Sequence, residues 1–583
     1  MPKIYLKYIY CLFLYGFLCL SVEAQEKYVL KIEAVAEEES VLRKYKYPAE
    51  HTDSLSTERA IRQLINALHS DGYLLASTLS RSSVSNELRV KISIGEKFTW
   101  LRLTSGNVEN SLLRRSGYKQ AQFEEKPFRF NQVARMEKSI LSFAERNGYP
   151  FASLKLDSLR IEANQIGASL NLDLGPLIVF DSLDIKSDFA IKARFLGNYL
   201  GIVQGNHYDQ KKIDYISQRL RNLPYLRVSE ASTLTFQNSE ATVHVKVEKR
   251  PVNQIDGIIG FLPNSNRSDG LLVTGQVDVD LLNPFGSGKQ IGLHWQRLSE
   301  ETQNLNLQYA HPNVLGSPLN FDFAFDFLKQ DTLFTKRIFD LEISYNLGGN
   351  SFLNVFSTSE GTDLIGTPKV TNNQLPSVID FDLTSYGLGF DWNNFDDPFI
   401  ISRGAGLSIK ASTGNKKISR NVSLPAEVYQ GVDLKTLQYT FELGFQNYFR
   451  WKNNFVLVSK LSGGLKANDQ LFQNDAFRLG GLKSIRGFNE NFFFATKYGL
   501  ATLEGRLLFD ESSYLLLFTD LAHLEGEFKE SPTSEWALGL GTGLSFATSS
   551  GIFNFIYALG SSQSTGSFNF NQSKIHFGYT TRF

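Results

Sequence analysis

Sulfur is almost missing from this sequence. Two cysteines and two methionines occur in 583 residues, and both cysteines, Cys11 and Cys19, fall near the amino terminus. A chain trimmed after that stretch has no disulfide, no thiol nucleophile and no thiolate to offer a metal. Net charge is missing too: 60 Lys and Arg balance 60 Asp and Glu, so bulk electrostatics give no reason to expect nucleic acid. Past residue 24 no apolar run reaches the ~20 residues of a membrane-spanning helix. Catalytic signatures are absent as well. There is no Gly-x-Ser-x-Gly elbow, Walker loop or His-Glu-x-x-His, and the eight histidines lack ligand spacing. Phe285-Gly286-Ser287-Gly288-Lys289 is too short for a phosphate loop and reads as a strand turn. No enzyme activity, cofactor or metal site is expected.

Lys3 and Lys7 precede an apolar core running to about Leu20, and Val22-Glu23-Ala24 stands before Gln25. That order reads as a secretory signal peptide over residues 1–24. Leu18 occupies the place before Cys19 where lipid modification wants a small residue, which argues against a lipoprotein. What the rest has in quantity is aromatic: 46 Phe and 24 Tyr, at a mean hydropathy of only −0.19. Aromatic richness without long apolar runs fits a transmembrane β-barrel, whose strands hide their hydrophobicity in alternation. The length predicts two or more folding units.

One arrangement recurs through residues 25–97, 98–176 and 177–251. A helical stripe (Ile61, Leu64, Leu68; Val133, Met136, Ile140; Ile213, Ile216, Leu220) ends in Asp71-Gly72-Tyr73, Asn147-Gly148-Tyr149 or Asn222-Leu223-Pro224-Tyr225. An alternating strand follows in each: Leu88 to Ile94, Ala168 to Leu174, Ala241 to Val247. Period two buries one face of such a strand and wets the other, so each repeat is a small α+β unit.

From 252 to 583 the chain changes to short alternating segments separated by Gly, Asn, Asp and Pro. At roughly 20 residues per strand and connection, about sixteen transmembrane strands fit. Gly539, Gly541 and Gly543 alternate with larger residues, as in a strand that bends or is closely approached. In the last segment Ile575, Phe577, Tyr579, Thr581 and Phe583 alternate with His576, Gly578, Thr580 and Arg582. Within this region Phe477 to Phe488 holds Arg486 between apolar neighbours. Lipid exposure of its guanidinium would cost about 2–4 kcal/mol at the bilayer midplane, so Arg486 is expected to point into a lumen.

The repeat order resembles the POTRA domains of outer-membrane assembly proteins, and nearly the whole chain resembles the BamA/TamA superfamily. Ser484-Ile485-Arg486-Gly487-Phe488 is similar to that family's Val-Arg-Gly-Phe loop motif, with Ile for Val. Phe518-Thr519-Asp520-Leu521-Ala522 is similar to its Phe-x-Asp-x-Gly strand motif, with Ala522 where Gly is usual. Asp391 to Gly404 looks like a periplasmic turn, and the terminal Phe583 resembles the targeting signal of outer-membrane barrels. The resemblance implies three β-α-α-β-β modules followed by an all-β barrel of about sixteen antiparallel strands. It also implies that Arg486 is held in the lumen by Asp520; the alternative partner is Glu504. The working edge is expected where the first strand (Ile255, Gly257, Ile259, Gly260) meets the last (Ile575, Phe577, Tyr579, Phe583). Glycines there would weaken pairing and let an incoming strand add its own hydrogen bonds. The implied role is insertion or export of unfolded client proteins at the outer-membrane bilayer, with a periplasmic or inner-membrane partner and no nucleic acid. The alternatives are a dedicated two-partner-type secretion channel, against which the charged 25–50 segment (Glu37-Glu38-Glu39) argues, or a passive pore.

Overall fold

The computed structural model describes residues 28–263, 271–297, 302–330, 332–366, 375–398, 400–452, 454–510, 512–528, 532–548 and 551–580, with backbone only at 258–263, 271–274 and 580. The signal-peptide reading, both cysteines and Phe583 lie outside these residues, and Ile259 and Gly260 are placed by backbone alone. Contacts divide the chain into two compact units. One runs through Val179 and includes His207–Gln210; the other comprises Phe180–Asn206 and Lys211–Phe583.

The first unit shows why the repeats fold. Helix α1 (Ser54–Ser70) starts at a capping box, in which the Ser56 N–H donates to Asp53 over 2.6 Å. Its stripe Ile61, Leu64 and Leu68 packs on Leu30, Ile32, Val90 and Ile92 of a four-stranded sheet. Helix α2 (Phe130–Arg146) buries Val133, Met136 and Ile140 against Trp100 and Leu170 of a three-stranded sheet. Both end at a left-handed glycine, Gly72 (φ +102°) and Gly148 (φ +97°), where a side chain would also strike its neighbours. In both sheets the first strand lies parallel to the last: Tyr28–Ala34 beside Glu87–Ser93, and Thr99–Thr104 beside Gln165–Asp173. This leaves Ser77–Val84 and Ser153–Glu162 as open edges.

The third repeat opens the second unit and departs from the pattern. Its expected helix is broken into Gln210–Asp214 and Ile216–Arg221; Ile216 and Leu220 are buried, but Ile213 only half so. With Ile213 only half buried and Asp214 and Tyr215 exposed after it, the buried stripe shrinks to Ile216 and Leu220, too little for an unbroken helix.

Sixteen strands make one antiparallel sheet in chain order. They are β1 (Gln254–Pro263), β2 (Leu271–Leu282), β3 (Gln290–Arg297), β4 (Gln303–His311), β5 (Leu319–Gln330), β6 (Phe334–Gly348), β7 (Ser351–Leu364) and β8 (Phe381–Asn393). There follow β9 (Gly404–Ile418), β10 (Lys435–Trp451), β11 (Phe455–Ala467), β12 (Lys497–Leu508), β13 (Tyr514–Gly526), β14 (Thr533–Thr548), β15 (Gly551–Ser562) and β16 (Lys574–Thr580). Side chains from β2 through β12 line a single cavity of about 840 Å³, which only a sheet rolled into a barrel allows. Along β10 the alternation is plain: Leu437, Tyr439, Phe441, Leu443 and Phe445 face out, while Gln438, Thr440 and Glu442 face the cavity. No helix among the described residues is long and apolar enough to cross a membrane; the outward apolar band of the strands is what meets lipid.

The third repeat sits against the short turns of this barrel. The Lys192 N–H donates to the Gly286 carbonyl over 2.7 Å, and Arg250 reaches Asp397 over 2.9 Å in the turn between β8 and β9. The 285–289 turn is therefore a strand turn, as its length suggests, and also a seat. Gly288 (φ +72°) lies so near the Phe195 ring that a β-carbon would enter it. Replacing Gly288 by Val should cost about 2 kcal/mol or more in strain and displaced packing. The expected result is faster proteolysis within residues 187–253 of the membrane-inserted chain, with the barrel's heat-modifiable gel mobility unchanged. Equal proteolysis rates would refute the seating.

Candidate functional site

The connection from β11 to β12 turns back into the barrel. It forms a small hairpin, Phe477–Leu479 with Phe493–Ala495, whose tip carries Ser484 to Phe488. Paired glycines bend the tip: Gly480 (φ +112°) and Gly481 (φ +92°) lie where a side chain would strike Asn489 and Glu490. Ser484 Oγ accepts from the Gly480 N–H over 2.8 Å and donates to its carbonyl over 3.0 Å. Ile485 and Phe488 are buried with Leu479, Phe493, Ala522 and Leu524.

Arg486 is 8% exposed and fully engaged. Its Nε and Nη2 each donate over 2.8 Å to the two oxygens of Asp520, and its backbone N–H adds a third bond to Oδ2 at 3.1 Å. Nη1 donates to Glu504 over 2.6 Å. The two partners that the sequence left as alternatives therefore act together. Arg506 completes a neutral chain through a 2.7 Å bond to the other Glu504 oxygen. Thr502 Oγ1 donates to Asp520 over 2.8 Å, and the Arg486 guanidinium carbon lies 3.5 Å from the Phe518 ring centre. Two guanidinium groups against two carboxylates leave no unpaired charge, the condition on which buried ions persist.

Register explains how the wall receives the tip. Thr502, Asp520, Gly539 and Gly560 form one inward row, and Glu504, Phe518, Gly541 and Ala558 the next. Carboxylates come from β12 and β13, while β14 and β15 supply residues with almost no side chain. A β-carbon at Gly539 would strike the Arg486 carbonyl, and one at Gly560 would meet the Gly487 carbonyl at 2.7 Å. These glycines mark close approach rather than a bend. Ala522, where the resemblance leads one to expect glycine, is fully buried, with its methyl in the cluster under Ile485 and Phe488.

Sequence reasoning missed a second anchor on the stem of the same loop. Lys416 and Asp475, both with fully buried side chains, pair over 2.5 Å; Lys416 also donates to the Gln470 carbonyl at 2.8 Å. Lys466 donates to the Asp475 carbonyl over 2.5 Å, and Lys336 pairs with Glu360 over 2.6 Å beside it. The Lys416 ammonium lies between the Phe381 and Phe472 rings, 4.6 and 5.1 Å from their centres. One signal was available: Lys416 and Lys466 hold inward positions near strand ends, where an ammonium needs an acid. Which acid could not be read, because Asp475 lies in the loop.

The expected seam residues are not gathered into a site. β1 and β16 are the two ends of the strand order. Ile255, Ile575 and Phe577 are exposed, and Tyr579 stacks near Phe553 at 4.4 Å. Among the described residues β16 pairs with β15 from Lys574 to Thr580, and Leu559–Ser562 of β15 run beyond Lys574. A β-carbon at Gly257 would meet only ordinary contacts, nearest 3.6 Å, so no crowding demands glycine there.

A family model described as the Omp85 superfamily domain matches residues 283–583. Among solved structures, CdiB from Escherichia coli is 13% identical over 93% of this chain and 98% of its own, with a TM-score of 0.55. CdiB from Acinetobacter baumannii is 13% identical over 84% and 91%, with a TM-score of 0.54. BamA from Haemophilus ducreyi lacking POTRA domains 1-3 is 14% identical over 83% and 100%, with a TM-score of 0.42. At such identity the CdiB likeness speaks for fold alone. No curated protein sequence matches the chain.

Removing Arg486 would strand the buried Asp520 carboxylate and leave Glu504 to Arg506 alone, a loss of about 3–5 kcal/mol. Arg486→Ala should lower the temperature at which the barrel loses its compact gel mobility and expose residues 468–496 to trypsin. Asp520→Ala should do the same, and the double variant should lose much less than the sum, because the two act as one unit. Additive losses would show that the contact carries no stability.

Proposed function

The chain belongs to the Omp85 superfamily, and from that premise we propose that it inserts or exports client proteins by strand pairing at the β1/β16 seam. Membership makes it an outer-membrane barrel with periplasmic POTRA modules, one that moves or inserts proteins without being an enzyme. The single observation that carries the finer reading is the mismatch at the ends of the sheet. Among the described residues every internal strand is paired on both sides, whereas Leu559–Ser562 of β15 run beyond the start of β16 and β1 carries an uncrowded Gly257. Backbone groups in lipid must find partners, so a short, weakly packed seam is the place where a client strand can add itself. The open edges Ser77–Val84 and Ser153–Glu162 could hold extended clients before they reach it.

The Arg486 network has a mechanical part in this reading. It fixes the loop to β12–β15, so this wall stays rigid while the seam gives. Arg486, Asp520 and Glu504 are positioning residues, since nothing in the arrangement breaks a bond. A periplasmic or inner-membrane partner delivering clients to the modules belongs to the same proposal.

Dedicated export of one secreted protein is the second reading, favoured by the polar cavity, which Asp280, Asp322, Glu342 and Lys410 help to line. Depletion followed by quantitative outer-membrane proteomics separates the two. Insertion predicts loss of a set of unrelated barrels, reproduced by Arg486→Ala that still reaches the membrane. Loss of a single secreted protein would favour export, and an unchanged proteome with unchanged secretion would reject both.

A further inference from the structure

We propose that the outward face of β8, β9 and β10 binds one anionic lipid of the outer leaflet, its phosphate held between Lys417 and Lys435. The register places these lysines directly opposite each other, and both are exposed. Like charges so placed repel, and among the described residues neither has an ion-pair partner. Asp382 stands opposite Lys417 on its other side, while Arg337 beyond it pairs with Asp363. Two ammonium groups beside one carboxylate leave a surplus of positive charge that an anion would relieve.

Position identifies the anion as a lipid's. Lys435 lies just above the outward series Leu437, Tyr439 and Phe441, at the barrel end opposite the turns that seat the third module. That is headgroup height in the outer leaflet. Beneath the lysines runs a trough. Tyr386, Thr413 and Tyr439 are aligned across the three strands, and below them Leu388, Ala411 and Phe441. The four flanking side chains are 42–64% exposed and stand as two walls over Thr413 and Ala411 of β9, with Asn415 between these and Lys417. Two strand spacings set the walls about 10 Å apart, and the six residue steps from Lys417 to Ala411 give about 20 Å of length. An acyl chain fits that space, so a ligand with a phosphate above an apolar tail satisfies both features at once. This inference needs only the outer-membrane location and is independent of the client mechanism.

The test is native mass spectrometry of the purified full chain in dodecyl maltoside, titrated with dioleoylphosphatidylglycerol or dioleoylphosphatidylcholine. One phosphatidylglycerol should be retained at a concentration about tenfold lower than the zwitterionic lipid, as two basic groups at a surface imply. Lys417→Gln with Lys435→Gln should erase that difference, the matching pair of Arg substitutions should keep it, and Ala411→Phe should weaken both lipids by filling the trough. These residues are exposed, so heat-modifiable mobility should be unchanged in every variant. Equal retention of the two lipids, or phosphatidylglycerol binding unmoved by the Gln pair, would overturn the proposal. So would complete displacement by excess inorganic phosphate, which would mark a site for a free anion.

Discussion

A bilayer offers no water to an unpaired charge or an unpaired backbone amide, and this single constraint runs through the whole of the second unit. It forces the backbone into consecutive paired strands. It also decides where ionised side chains can go: inward, and only against partners. Arg486 is the clearest instance. Its side chain cannot be deprotonated at any ordinary pH, so burial at 8% exposure has to be met by counter-charge, and Asp520 with Glu504 meets it. Removing water from four such groups costs several kcal/mol per ion. That cost makes the arrangement all-or-none: with every oxygen matched it holds, and with one partner gone the rest are left charged in a dry place.

Packing turns this electrostatic lock into a positional one. The guanidinium alone would tolerate some tilt, but the Arg486 carbonyl lies against Gly539 and the Gly487 backbone against Leu559 and Gly560. The loop is thus wedged from the side of β14 and β15 while it is bonded from β12 and β13. Lys416, Lys466 and Asp475 repeat the logic on the stem. Two separated anchors remove the rotation that one would permit, so tip and stem are fixed to different stretches of wall.

Much of this was legible because it depends on short spacings. Alternation along single strands, the three stripes of i, i+3, i+7 residues and the glycine stops are local patterns, and the Arg486–Asp520 pair lies on motif residues. What escaped was set by register. Glu504 could be named only as an alternative, because whether it faces Arg486 follows from its place opposite Phe518. Gly541 could mark either a bend or a close approach, and only the register, which sets the Phe518 ring over it, decides for the second. Lys416 and Asp475 are 59 residues apart with no repeating pattern between them. The broken helix of the third repeat shows the opposite failure: the stripe was present, but Asp214 and Tyr215 between its apolar residues outweighed it.

Rigidity on one side of a barrel has a consequence for the other. A barrel under load yields where its pairing is shortest. The stretch from β12 to β15 is held by its ladders and also by the loop packed on its inner face, whereas β16, among the described residues, adds the bonds from Lys574 to Thr580 and has no loop packed on it. The anchored third module pulls in the same sense. Arg250, bonded to Asp397, lies a few residues before β1, and the Asn253 side chain accepts from the Leu282 N–H over 2.9 Å at the foot of β2. The start of β1 is thereby pinned at its periplasmic end. Any parting of β1 from β16 must begin toward the outer surface or by peeling β16, and a client strand entering from the periplasm would meet β1 already held in place as a template.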